Sequence, residues 1–344
     1  MELTQRIREL TALPGVSGQE DAVREYLLRA LQGREDCDCR VDALGNLIVK
    51  KTGRQTPAKS LLITAHMDEV GYLITYIEDS GLLRFAPVGG VSPEVMAGKR
   101  VYVGQKLLPG LVGLKAVHQQ KAAERTAPPE ADNLYIDIGA KDKADAERVV
   151  SLGDYAAFDT AFGEFGDGCW KAKAFDDRCG CAVLARLIQE RCAYDTYFCF
   201  TVQEEVGCRG AQIAANRVRP DMALVLEATT CSDVSGAPKH LEVTTLGGGA
   251  AFSTLDRGSY SDVELTKKLY GMAQAEGVMV QYKRTTMGGN DARAVQTAVG
   301  GCKTCAVSVP CRYLHSPVSI VSAADYEAVY QTAKLFLTRA KELI

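Results

Sequence analysis

The chain has one tryptophan, four histidines and aromatic residues at only 7%. That is a poor stock of rings for stacking on sugar faces, which argues against a polysaccharide-cleaving groove. No apolar run approaches the ~18 residues that a membrane span needs. The N-terminus, MELTQRIREL, is charged and amphipathic, without the basic-then-apolar order of a signal peptide, so a cytoplasmic chain is expected. Neither sign of charge dominates. Lys and Arg number 40 against 43 Asp and Glu, for a formal net charge of −3 and a pI near 5.9. Nothing here would draw nucleic acid or a membrane surface to the protein. Internal repeats and low-complexity tracts are also absent.

What is present is a soluble-type composition, 47% apolar and 24% charged over 344 residues. At a prior of ~150 residues per domain this length implies about two domains. Twelve cysteines are conspicuous. Without a signal peptide they read as small buried thiols in a reducing compartment. Cys302 and Cys305 form a C-x-x-C, but no second such pair exists to complete a four-cysteine metal site.

Two helical patterns open the chain, with Ser17 and Glu20 spaced as a capping box for the second. Residues 40–51 read as a hairpin about Gly45-Asn46. Four short apolar runs follow, at 61–65, 197–202, 222–226 and 304–309, with helical patterns near 177–192, 208–217, 259–276 and 323–343. Strands apolar on both faces and alternating with helices predict an open α/β sheet covered on both sides. The Gly- and Val-rich stretch 72–163 breaks the alternation and reads as short strands with one weak helix near 142–150. The expected organisation is α/β: a three-layer α/β/α catalytic domain from residues 1–71 and 164–344, with an inserted β-barrel-like domain over 72–163.

The polar residues fall where the strands end. The first run leads into His66-Met67-Asp68, the second into Gln203-Glu204-Glu205, the third ends at Glu227, and the fourth is followed by His315. Asp176 and Asp177 open a helix. In an open α/β sheet, ligands bind at the carboxyl ends of the strands, so these groups are expected on one edge. Six carboxylates and two imidazoles cannot share a buried edge without compensation, and divalent cations are the simplest compensation. The donor set suits Zn²⁺, Co²⁺ or Mn²⁺. Five candidate ligands are too many for one ion. Two ions sharing a carboxylate fit better, with Asp176 the short candidate for the bridge. If the second strand continues through Glu204-Glu205, the two point to opposite sides, one to metal and one to substrate. A free glutamate beside metal-held water is what a hydrolase needs as general base. Asn290-Asp291 after two glycines reads as a helix cap.

At the stretches TAHMDEVGYLI (64–74), KAFDDRCGCAVL (173–184), TVQEEVGCRGA (201–211), MGGNDARAV (287–295) and RYLHSPVSIV (312–321), the sequence resembles metallopeptidase family forty-two, the tetrahedral aminopeptidases. The resemblance implies an α/β/α domain with an inserted barrel that makes dimer contacts, and homo-oligomers of twelve subunits. It implies two divalent metal ions per subunit, one bound by His66 and Glu227, the other by His315 and Glu205, with Asp176 bridging. It implies Glu204 as general base, Asp68 as the residue that orients His66, a cis peptide between Asp176 and Asp177, and short peptides with a free N-terminus as substrates. One departure stands out: Glu227 occupies a position where the family pattern more often has Asp. The rival readings are a glycoside hydrolase, which needs two carboxylates and no metal, and a metal-loaded scaffold without activity.

Overall fold

The computed structural model describes residues 3–56 and 59–343. Its larger unit is one mixed sheet. From edge to edge the strands run 37–41, 47–51, 196–201, 61–66, 222–230, 303–312, 319–322, 169–172 and 163–165, with two short strands, 250–253 and 280–282, branching from the 303–312 strand. The four apolar runs of the sequence form its centre. Strands 196–201, 61–66, 222–230 and 303–312 are parallel neighbours, so their carboxyl ends share an edge.

Period-two alternation explains the three layers. Leu61, Ile63 and Ala65 face one side, with Phe198, Phe200, Leu224 and Leu226, against the helices Phe175–Leu187 and Ala323–Thr338. Leu62, Cys199, Ala223 and Val225 face the other, against Ala211, Ala214 and Val295 of shorter helices. Each large apolar side chain so buried contributes about 1.5–3 kcal/mol, and the central strands have no solvent-facing side on which a register slip could be tolerated.

A second sheet closes on itself. Strands 71–77, 83–88, 134–137, 108–114, 100–103 and 155–158 form a six-stranded barrel. Its own core includes Tyr72, whose ring lies 4.4 Å from that of Phe85 and 5.3 Å from that of Phe158. The chain enters it directly after the His66 strand, at Gly71. A Cβ there would fall 2.5 Å from Val16 and 2.8 Å from the Ala156 carbonyl, so only glycine passes.

The hairpin forms as read, with Cys37–Val41 antiparallel to Leu47–Lys51 and the Asp42 carboxylate accepting the amides of Leu44, Gly45 and Asn46. The expected capping box does not form: Glu20 occupies the N-cap of helix Asp21–Leu31 without a side-chain bond there. No disulfide links the twelve cysteines. No helix among the described residues is long and apolar enough to cross a membrane.

Candidate metal centre

His66 ends its strand opposite Thr201 of the neighbouring strand, and Glu227 lies within the next strand. Asp176 sits at the start of helix Phe175–Leu187, where Asp176 and Asp177 depart from helical geometry and the peptide between them is cis. His315 follows the 303–312 strand in a loop, at φ +55°. The structure brings all of these groups together.

Asp176 lies between the two imidazoles. Its Oδ1 is 3.3 Å from His66 Nε2, and its Oδ2 is 3.3 Å from His315 Nε2. Each half is completed by a glutamate: Glu227 Oε2 is 3.5 Å from His66 Nε2, and Glu205 Oε2 is 3.3 Å from His315 Nε2. A turn of the barrel closes the outer half, where a Cβ on Gly90 would lie 3.2 Å from His315 Nδ1 and one on Gly89 3.3 Å from Glu205 Cβ.

Glu204 and Glu205 do not continue a strand, and so do not alternate as the sequence reading supposed. The strand ends at Thr201, Gln203 turns into the left-handed region at φ +57°, and the amides of Gly207 and Cys208 close back on the Glu204 carbonyl. The turn is held by Asp68, whose Oδ1 accepts the Glu204 amide at 3.0 Å and whose Oδ2 accepts the Glu205 amide at 3.1 Å. Asp68 also lies past its strand end. Its Oδ1 is 3.4 Å and its carbonyl oxygen 3.1 Å from His66 Nδ1. Glu204 presents its carboxylate to the inner half, with Oε1 accepting the Cys208 thiol at 3.4 Å.

Electrostatics follow from crowding. Burial pushes Glu205 up to about 8 and Glu227 to about 7, and holds Glu204 well above the carboxylate range. Burial would lower His66, but its contacts with Asp176, Asp68 and Glu227 outweigh that and raise it well above the usual imidazole value. Burial likewise opposes Asp176, yet the two imidazoles hold it below the ordinary range.

Two features escaped the sequence reading. Asp291 does not cap its helix: it is fully buried, its Oδ2 accepts the Thr201 hydroxyl at 2.6 Å, its amide donates to Glu227 Oε1 at 3.3 Å, and its Oδ1 has no partner. The second is a buried group of one carboxylate and two cations that flank Asp176 in the chain. Glu69 Oε1 accepts from Lys173 Nζ at 2.6 Å and lies 3.5 Å from an Arg178 nitrogen. Arg178 is 0% exposed and also donates to the carbonyls of Met67, Leu10 and Leu13. The run Lys173-Ala-Phe-Asp-Asp-Arg178 is contiguous, but nothing in a linear sequence pairs its ends with Glu69.

The residues fit divalent cations. Ligands ~2.0–2.1 Å from a tetrahedral zinc are about 3.3–3.4 Å from one another, close to the 3.3–3.5 Å separations in both halves. His66, Asp176 and Glu205 offer ligand atoms all within 4.8 Å of one another. The donors are imidazole and carboxylate, the set that hard and borderline divalent ions take.

Comparison with known proteins agrees. The family described as M42 glutamyl aminopeptidase matches residues 45–332. Lysyl aminopeptidase of Pyrococcus furiosus is 28% identical over 98% of this chain and 97% of its own length. The structure of a TET aminopeptidase from the Thaumarchaeota archaeon SCGC AB-539-E09 superposes with a TM-score of 0.94 at 30% identity, covering 99% of both chains. A TET1 peptidase of Pyrococcus horikoshii, described as assembling into a tetrahedron or a large octahedral shell, superposes with a TM-score of 0.86 at 32% identity, covering 98% of this chain and 99% of that one. Fold and site thus define a metal-dependent peptide hydrolase. The chain belongs to the M42 glutamyl aminopeptidase family, and the glycosidase and inactive-scaffold readings give way to that of an aminopeptidase.

Proposed function

We propose that the enzyme removes N-terminal residues from short peptides with two divalent ions, Zn²⁺ or Co²⁺ before Mn²⁺, and with Glu204 as general base. The observation that carries this reading is the placement of Asp176, each of whose oxygens faces one imidazole at 3.3 Å. His66 and Glu227 would hold one ion, His315 and Glu205 the other, and Asp176 both. When bound, the ions supply Lewis-acid polarisation of the scissile carbonyl and acidify the attacking water.

The chain's own residues do the rest. Glu204 Oε1 is engaged by Cys208, leaving Oε2 to take the proton of the water and return it to the departing amine. Asp68 sets the His66 ring and the Glu204 and Glu205 backbone together, since one carboxylate touches all three. The cavity beside His315, between Val70, Phe158 and Leu314 on one side and Glu69, Asp176 and Glu205 on the other, has room for about one water.

Residues 72–163 act in this reading as a dimerisation domain, and residues 1–71 with 164–344 as the catalytic one. Leu107, Leu111, Leu114 and Val117 leave apolar surface exposed on the barrel segment. Assembly into a homo-oligomeric shell, up to twelve subunits, would cover such surface. The cytoplasm is the compartment proposed, in keeping with twelve unbonded thiols.

The test is Glu204→Gln on protein reconstituted with defined Zn²⁺ or Co²⁺, assayed on a panel of aminoacyl-anilides. General acid–base catalysis contributes about 10²–10⁴-fold, so kcat should fall by that order with metal content unchanged. A fully active Glu204→Gln would remove Glu204 from the role.

A further inference from the structure

The segment PGVSGQE (14–20) carries the spacing of a capping box, and neither of its key side chains caps its helix. Both reach across to the strand ends instead. Ser17 Oγ donates to Asp68 Oδ2 at 2.6 Å. Glu20 Oε1 accepts the amide of Gln203 at 3.2 Å and that of Gly18 at 2.7 Å. The turn is itself fastened down. The Gln19 amide donates to the Val16 carbonyl at 2.7 Å, Val16 pairs with Glu69 in a short parallel bridge, and the Glu69 amide donates to the Gly15 carbonyl at 2.9 Å.

The consequence is a continuous set of anchors under the proposed general base. Three successive amides, of residues 203, 204 and 205, end on three carboxylate oxygens: one of Glu20 and two of Asp68. Gln203 needs such support, because at φ +57° it sits where a residue with a Cβ is held only when its surroundings over-determine it. Asp68 is fully buried and Glu20 is 3% exposed, so water does not compete for these bonds. Ser17 contributes the one side-chain hydroxyl that Asp68 accepts among the described residues. Without it the carboxylate is held only by His66 and the Glu204 and Glu205 amides, the very groups it orients, and loses its anchor outside them.

We propose that the Val16–Glu20 turn is a positioning strap for the reaction centre, in which Ser17 fixes the Asp68 carboxylate and Glu20 fixes the Gln203 backbone, so that Glu204 and Glu205 present their side chains at set places. Ser17 and Glu20 touch neither substrate nor metal and act through Asp68 and the 203–205 turn. The inference rests on the roles given above to Glu204 and Glu205.

The experiment compares full-length, metal-loaded wild type with Ser17→Ala and Ser17→Thr, measuring kcat and KM on an aminoacyl-anilide, thermal midpoint, metal content, and hydrogen exchange of the amides of residues 203–205. Groups that orient active-site ligands typically control roughly 10–100-fold in activity or metal affinity. Ser17→Ala should therefore lose kcat by that factor, with KM and thermal midpoint unchanged and faster exchange at 203–205. Ser17→Thr, which keeps the hydroxyl, should recover most of both. A wild-type kcat in Ser17→Ala, a loss confined to KM, unaltered exchange, or a Ser17→Thr as impaired as Ser17→Ala would overturn the proposal. Failure of the peptidase reading looks different: wild type would then turn over no member of the panel, while exchange at 203–205 would still respond to Ser17→Ala.

Discussion

His66 and His315 face the same aspartate from opposite sides, yet the His66 side chain is 1% exposed and that of His315 34%. The inner ring ends a central strand, with Asp68 against Nδ1 and the Cys181 thiol donating to its backbone carbonyl at 3.1 Å. The outer ring sits in a loop, with the Gly89-Gly90 turn of the barrel against it and the residue two before it, Tyr313, also at positive φ. The inner half is placed by the packing of the sheet itself. The outer half depends on two segments meeting over the sheet edge, and its imidazole is the one that reaches solvent.

The sharpest way to break this contrast is a pair of substitutions. His66→Ala leaves Asp176, Glu227 and Asp68 facing one another in the core without their shared partner. Removing one member of a buried pair costs about 3–5 kcal/mol, so metal-free His66→Ala should lose that much in denaturant unfolding and all measurable activity. His315→Ala should also abolish activity, at a smaller cost in stability than His66→Ala, since its ring is partly solvated and its pairing is screened. Equal destabilisation by the two would erase the distinction.

Metal removal sharpens it. Chelation followed by metal analysis and activity should proceed in two phases, with the ion at His315 and Glu205 leaving first. One phase with both ions lost together would show that the Asp176 bridge couples the halves too tightly to separate.

The smallest effect is in pH. Burial opposes protonation of His315, but Asp176 and Glu205 raise it to about 9, against ~6.5 in an unfolded chain. A raised imidazole stabilises the fold fully below the unfolded value and loses that contribution as pH rises through the folded one. Metal-free protein should therefore lose stability between about pH 6.5 and 9, and His315→Gln should flatten that slope. Metal-loaded protein should not show this loss, because bound metal keeps the folded ring neutral and leaves only the unfolded ring to titrate, at about pH 6.5 and below.

Much of this centre was legible from one sequence. The central strands announce themselves as apolar runs of strand length, and a polar residue directly after such a run has little choice of location: His66, Glu227 and the Glu204-Glu205 pair follow from that. The backbone between them was not legible. Gln203 is an ordinary-looking residue in a left-handed conformation, and only the carboxylates waiting for its amide and the next two explain the turn. Ser17-x-x-Glu20 satisfies the local capping rule as well as any true cap, and Asn290-Asp291 divides: Asn290 Oδ1 accepts the Ala292 amide at 2.9 Å as a cap does, and Asp291 does not. Tertiary partners more than 50 residues away, Asp68 for Ser17 and Thr201 for Asp291, claim their side chains instead. Local pattern identifies what a side chain could bond; it does not rank a nearby amide against a distant carboxylate.

The Arg178 guanidinium and Lys173 ammonium both terminate on carbonyls at the end of the first helix, Leu10 and Leu13. Helix Leu3–Ala12 and the Leu13 that follows it thus supply carbonyls to two buried positive groups that flank, in the chain, the aspartate that both ions would share. Trimming the chain at its start, or splicing a rigid partner tightly onto it, would disturb the floor of the centre from a place that looks, in one dimension, as remote from it as any.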